Sequence, residues 1–174
     1  MLANKVEITI HPIKLAKTRK THVSFYMKYA SIVSKTLKKP IYQKFLKWML
    51  HKENIQEHKI TNIQIMVFPS QKKNGKNLAG RWRPQGEILI FPKKLRLCRK
   101  LIHKLGKEKV HLYIKHRARA ALIHELLHIK YTANEEKVRK LTRKYFTIFT
   151  KHQNPQNPHI HTTIDMLFRQ QKPT

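Results

Sequence analysis

An α+β fold is the class this sequence predicts, and three observations predict it. Stretches with strand character fall at residues 6–10 and within 62–91. Helix-period apolar patterning occupies residues 21–50 and most of 95–150. About 40% of the residues are hydrophobic, enough for one modest core in a chain of 174.

Taken in order, Val6, Ile8 and Ile10 alternate with Glu7 and Thr9 at the strand period, ahead of His11-Pro12. Val23, Phe25, Tyr26, Tyr29, Ile32 and Val33 recur at helical spacing over 21–37. Pro40 sits where a first helical turn tolerates proline, and Ile41, Phe45, Met49 and Leu50 form the next apolar stripe, read as helix core. Residues 62–69 read as a strand and 70–77 as an exposed turn. Ala79 to Arg83 and Gly86 to Phe91 read as a hairpin through Pro84-Gln85-Gly86. Residues 95–105 pattern as a helix that Gly106 interrupts, followed by a long helix over 108–131 and another over 134–150. Gln153 to Pro158 breaks helical structure and leaves a short tail. There Ile164, Met166, Leu167 and Phe168 carry enough apolar mass to pack on the core, or beside a cleft with His161 or Asp165 inward.

Thirty-eight Lys and Arg against nine Asp and Glu give a net charge of +29. Such a surface attracts polyanions, and non-specific nucleic acid is the expected partner of that kind. The charge is spread along the chain and gathers in no single arm. One cysteine, Cys98, excludes an internal disulfide framework and fits a reducing compartment. No apolar run approaches the ~20 residues of a membrane span, and Met1 to Lys5 lacks the apolar core of a secretory signal. The expectation is a cytoplasmic protein with no membrane partner.

Chemistry concentrates at His124-Glu125-Leu126-Leu127-His128, an H-E-x-x-H inside the long helix. Residues four apart lie one above the other, so both imidazoles can grip one zinc ion while Glu125 stands beside them to take a proton from bound water. By composition the pattern arises by chance in roughly 4% of such chains. Its context sharpens it: Ala120 to Ile123 precede it, Leu126 and Leu127 lie within it, and no proline or glycine interrupts. A catalytic zinc keeps three protein ligands, so a third is needed. Glu135 and Glu136 follow closely. The apolar face of the next helix runs Val138, Leu141, Thr142, Tyr145, and three residues back from Val138 is Glu135. Glu136 falls with Lys140 and Arg143 on the solvated face. Glu135 is therefore the expected ligand and Glu136 the fallback, while first-turn capping by Asn134 or Thr132 suits both acids without any metal. His152, His159, His161 and Asp165 are further candidates from the tail. His11, His22, His51, His58, His103, His111 and His116 lie among lysines and read as solvated. Arg143 and Tyr145 are possible oxyanion donors that the sequence does not place.

With these residues, the sequence resembles the HExxH metallopeptidases of the gluzincin type. In size and element order it is similar to the minimal archaeal gluzincins, or minigluzincins. The resemblance covers roughly 41–150 and is tightest over Ala120 to Phe146. It implies a small mixed sheet packed on the HExxH helix, a following helix that donates a glutamate, and zinc-dependent hydrolysis of a peptide or protein substrate. His124, His128 and Glu135 would hold Zn2+, with Glu125 as base and acid. It also implies an edge strand that takes extended substrate, for which Gly86 to Phe91 is the candidate. On this reading 1–40 is a basic extension of strand plus helix with N-terminal helices preceding the core, 41–150 the metallopeptidase core and 151–174 the tail.

The chain departs from relatives of that type. Tyr131 and Asn134 stand where metzincins need glycine and histidine. Arg139 stands where larger gluzincins often carry a supporting acid. SprT-like proteases, which act on DNA-bound protein, use a third histidine, and the first after His128 is His152. They remain the alternative reading, together with a nucleic-acid-binding protein carrying a structural or degenerate metal site.

Overall fold

The computed structural model describes residues 6–11, 20–70, 74–153, 165, 167 and 168. They form an α+β fold of four strands and five α-helices: β1 (Glu7–Ile10), α1 (Lys20–Leu37), α2 (Pro40–Lys52), β2 (Asn62–Ile65), β3 (Gly80–Trp82), β4 (Glu87–Ile90), α3 (Leu95–Leu105), α4 (Lys107–His128) and α5 (Glu135–Gln153). Each predicted strand and helix is present. The long helix stops at His128, short of Tyr131, and residues 129–134 turn the chain directly into α5.

The sheet is mixed, in the order β1-β2-β4-β3. β1 with β2 and β2 with β4 are parallel, with Ile8 opposite Ile63 and Ile63 opposite Ile88, while β3 returns antiparallel to β4 with Arg81 opposite Leu89. This corrects the edge-strand expectation. The strand Glu87–Ile90 lies inside the sheet, and its near-continuous apolar run is the mark of a strand covered on both sides. The edges are β1 and β3. The bonds from Arg83 N to Glu87 O and from Phe91 N to Ala79 O turn the odd-numbered residues of β3 toward β4. By alternation, Gly80 and Trp82 present their backbone groups to the open side. The hairpin closes through Gly86 at φ 86°, where a Cβ would also come within 2.2 Å of Lys59 O.

α4 is the axle. It packs on α1, α3 and α5 and against β3 and β4. Ten of the eleven residues from Arg117 to Leu127 are buried, His124 being the exception. A helix covered all round needs internal partners for its polar groups. Arg117 finds them in Phe91 O at 2.6 Å and Leu78 O at 3.2 Å, tying both ends of the β3–β4 hairpin to this helix. The segment before residue 41 belongs to the same core, because β1 is part of the sheet and Tyr26, Tyr29, Val33 and Leu37 join the main apolar cluster.

On α2 the buried stripe is Tyr42, Leu46, Met49 and Leu50, whereas Ile41 is 53% exposed. The expected stripe was one residue out of phase at its start. His116 departs from the solvated reading. It stacks edge-on to Phe146 at 5.4 Å, and burial, then Arg119 and Lys115, pushes its pKa down to about 4. Cys98 is fully buried. Of the tail, Leu167 and Phe168 pack against the core and Asp165 accepts from Arg143 at 3.5 Å; His159 and His161 lie outside the described residues. Among the described residues, no helix is long and apolar enough to cross a membrane.

Candidate metal centre

The α4–α5 turn brings the chemistry together. Asn134 caps α5, its side-chain oxygen accepting from Lys137 N at 3.0 Å, so Glu135 is the first helical residue. That phase carries Glu135 back over the last turn of α4. Its carboxylate oxygens lie 3.5 Å from His124 Nε2 and 3.2 Å from His128 Nε2, and the two Nε2 atoms are 3.1 Å apart. Donors 2.0–2.2 Å from one tetrahedral ion would stand about 3.3–3.5 Å from each other. The three separations lie within about 0.2 Å of that range. Glu136 points away and pairs with Lys140 in solvent. Among the described residues, His124, His128 and Glu135 are the one group placed to hold a metal ion.

Hydrogen bonding fixes what the two rings present. Thr142 donates its hydroxyl hydrogen to Val138 O at 2.7 Å, so toward His124 Nδ1, 3.3 Å away, it can only accept. The His124 proton therefore sits on Nδ1 and the Nε2 lone pair faces the cluster. The backbone of Thr132 takes a hydrogen bond from the His128 ring, whose Nε2 also faces inward. Two lone pairs at 3.1 Å and an anionic carboxylate call for a cation between them, which is the donor chemistry of a divalent ion. A proton answers the same demand. The His128 pKa is raised, first by its hydrogen bond to Glu135, and the Glu135 carboxyl is held down to about 2 by the same bond against the opposing effect of burial. Support for the histidines thus comes from Thr142 and Thr132. Arg139 steadies Glu135, its Nε donating to Oε1 at 3.0 Å.

Glu125 stands one residue round the helix from His124 and faces β3. Its Oε2 accepts from Trp82 N at 2.7 Å. Its side chain lies on Gly80 so closely that a Cβ there would come 2.7 Å from Glu125 Cγ and 2.8 Å from Oε1. Glu125 is near enough to His128 to help raise the imidazole pKa. The carboxylate is 7% exposed as a residue, whereas the side chain of Glu135 is 44% exposed, so the cluster is open on the α5 side.

Glu53, at the end of α2, was not foreseen. It accepts hydrogen bonds from Tyr145 and, at 2.7 Å, from Tyr131, while Lys130 Nζ donates to its carbonyl at 2.6 Å. Burial alone would raise the Glu53 pKa, but the two phenols and the nearby lysines bring it below the ordinary value. Glu53 therefore pins the turn that joins α4 and α5. The one available signal was scarcity, since it is one of only nine acids. Tyr145 is occupied by this bond, Arg143 by Asp165, and His152 is exposed at the end of α5 outside the cluster. Compared with family models, with curated proteins and with solved structures, the chain matches none of them.

Proposed function

We propose that the chain is a zinc-dependent metallopeptidase of the gluzincin type. The observation that carries this reading is the convergence of His124 Nε2, His128 Nε2 and Glu135 on one point, with Glu125 held beside them by Trp82 N. His124, His128 and Glu135 would hold the ion and leave its fourth position to solvent, as a catalytic site requires and a closed structural site does not. When bound, zinc supplies an acidified water and a polarised substrate carbonyl. Glu125 would act as the base that accepts a proton from the attacking water and as the acid that passes it to the leaving amine. The bond from Trp82 N to Oε2 aims the carboxylate. An extended peptide or protein substrate would lie along the outer edge of β3 beside Glu125, where Trp82 N is already engaged by that carboxylate. The single cysteine suits a reducing cytoplasm as the place of action.

Two measurements test this together. Metal analysis of the purified chain should return about one zinc per molecule. Glu125→Gln should keep that zinc and the native melting temperature while hydrolysis of a small peptide disappears. Full activity in Glu125→Gln removes the mechanism, and no zinc under metal-replete conditions removes the site.

A further inference from the structure

α3 has a face that neither the core nor the metal centre uses. Leu95 and Cys98 are buried and Leu101 packs on the core, so the apolar side of the helix is consumed inside the protein. The outward side presents Arg96, Arg99, Lys100, His103 and Lys104, all exposed, at spacings of three and four, and Lys107 continues the row onto α4. No acid occurs between Leu95 and Lys107, and none of these cations is in an ion pair among the described residues. The other basic helices are sparser. α1 carries Lys20, Lys28 and Lys35 over 18 residues, and on α5 Lys140 and Arg139 are engaged by glutamates.

We infer that the outward face of α3 is a docking surface for the phosphate backbone of double-stranded DNA. Eleven helical residues rise about 16 Å, which spans about five phosphates of one strand at 3.4 Å of axis each. The row is fixed at that pitch by the buried side of its own helix. A membrane surface fits poorly, because an interfacial helix must insert its apolar face and this one is already covered. An acidic protein partner would need desolvated aromatic or aliphatic anchors, and Ile102, 38% exposed, is the lone candidate on the helix. A single strand would need a series of aromatic stacking platforms, and α3 has no Phe, Tyr or Trp and a single imidazole, His103. The exposed face also lacks the Asn and Gln amides that pair with adenine and the acids that accept from cytosine, so its contacts are mainly with phosphate. This inference uses none of the residues of the metal centre and stands apart from the peptidase reading.

The test compares two variants of the full chain that lose the same four charges. In R96Q/R99Q/K100Q/K104Q, anisotropy of a labelled mixed-sequence DNA duplex should show affinity falling at least about tenfold. The slope of log K against log salt, between about 50 and 200 mM, should become shallower by about 3 to 4. In K28Q/K35Q/K38Q/K44Q, exposed lysines of α1, its end and α2, both should stay within about twofold of the parent. Gln has nearly the helix propensity of Lys and Arg, and circular dichroism confirms each fold. Equal loss in both variants would mean a diffuse attraction by net charge and would overturn the inference. So would unchanged binding in the α3 variant, or tighter binding by the parent chain to an RNA duplex, a single strand or anionic lipid vesicles than to the DNA duplex.

Discussion

Gly80→Ala is the substitution that separates holding a metal from using one. The added Cβ would lie 2.7 Å from Glu125 Cγ and 2.8 Å from Oε1, where ordinary contact is about 3.5–4.0 Å, so the carboxylate must retreat by about 1 Å. The three atoms nearest the new methyl all belong to Glu125, and none to His124, His128 or Glu135. Overpacking of this size costs about 1–3 kcal/mol, and at roughly 2–4 °C per kcal/mol the melting temperature should fall by about 2–12 °C. Catalysis should suffer far more than stability, because about 1 Å of misplacement at a reacting group costs about 100-fold. The assay is kcat on a small peptide beside zinc stoichiometry and a thermal melt. Nearly all of kcat should be lost with zinc retained. A variant with parental kcat refutes this, and so does one whose activity loss merely follows lost zinc.

Three further expectations follow from the same geometry. Glu135→Ala should lose most of the zinc affinity while Glu136→Ala, which removes only a solvent-exposed pairing with Lys140, should keep it; metal titration with a chromophoric chelator decides, and the reverse order would refute the assigned ligand. Glu53→Ala should leave the buried Tyr145 hydroxyl without its acceptor, costing about 1–3 kcal/mol by urea unfolding, and a change near zero would show that the Glu53 hub carries no stability. His116, neutral in the fold down to about pH 4, charges in the unfolded chain near pH 6.5, so the unfolded state binds more protons in that window and stability falls as pH drops through it. The loss should reach about 3 kcal/mol and be absent above pH 7. His116→Phe should flatten that part of the urea-unfolding profile, and an unchanged slope would refute it.

How much of this was legible in the sequence depends on the range of the contact. The shared helix of His124, Glu125 and His128 needs only the 3.6-residue period, and the inward phase of Glu135 needs only counting back from Val138 on the same helix. The order of the sheet is a long-range property. Nothing local distinguishes Glu87–Ile90 as an inner strand and Gly80–Trp82 as an edge except a run of apolar residues that a half-covered strand can also show. Ile41 looked buried because apolar residues continue at 41 and 42, and only packing against the rest of the core chose Tyr42. Gly80, Thr142 and Glu53 were invisible for one reason. Each matters through a partner 45, 18 or 92 positions away (Glu125, His124 and Tyr145), and no periodicity encodes such a pairing.

His124, His128 and Glu135 all lie within residues 124–135, in two helices joined by one short turn, whereas the contact that aims Glu125 spans 43 positions to Trp82. Closing a loop of about a dozen residues costs little entropy, while docking the hairpin requires most of the core to be in place. On the proposed reading, a chain whose sheet has opened, through heat, a mutation or incomplete folding, would keep its ion and lose its base first. Damaged copies would then be loaded but inert, and the capacity to cut other proteins would be confined to molecules that had finished folding themselves.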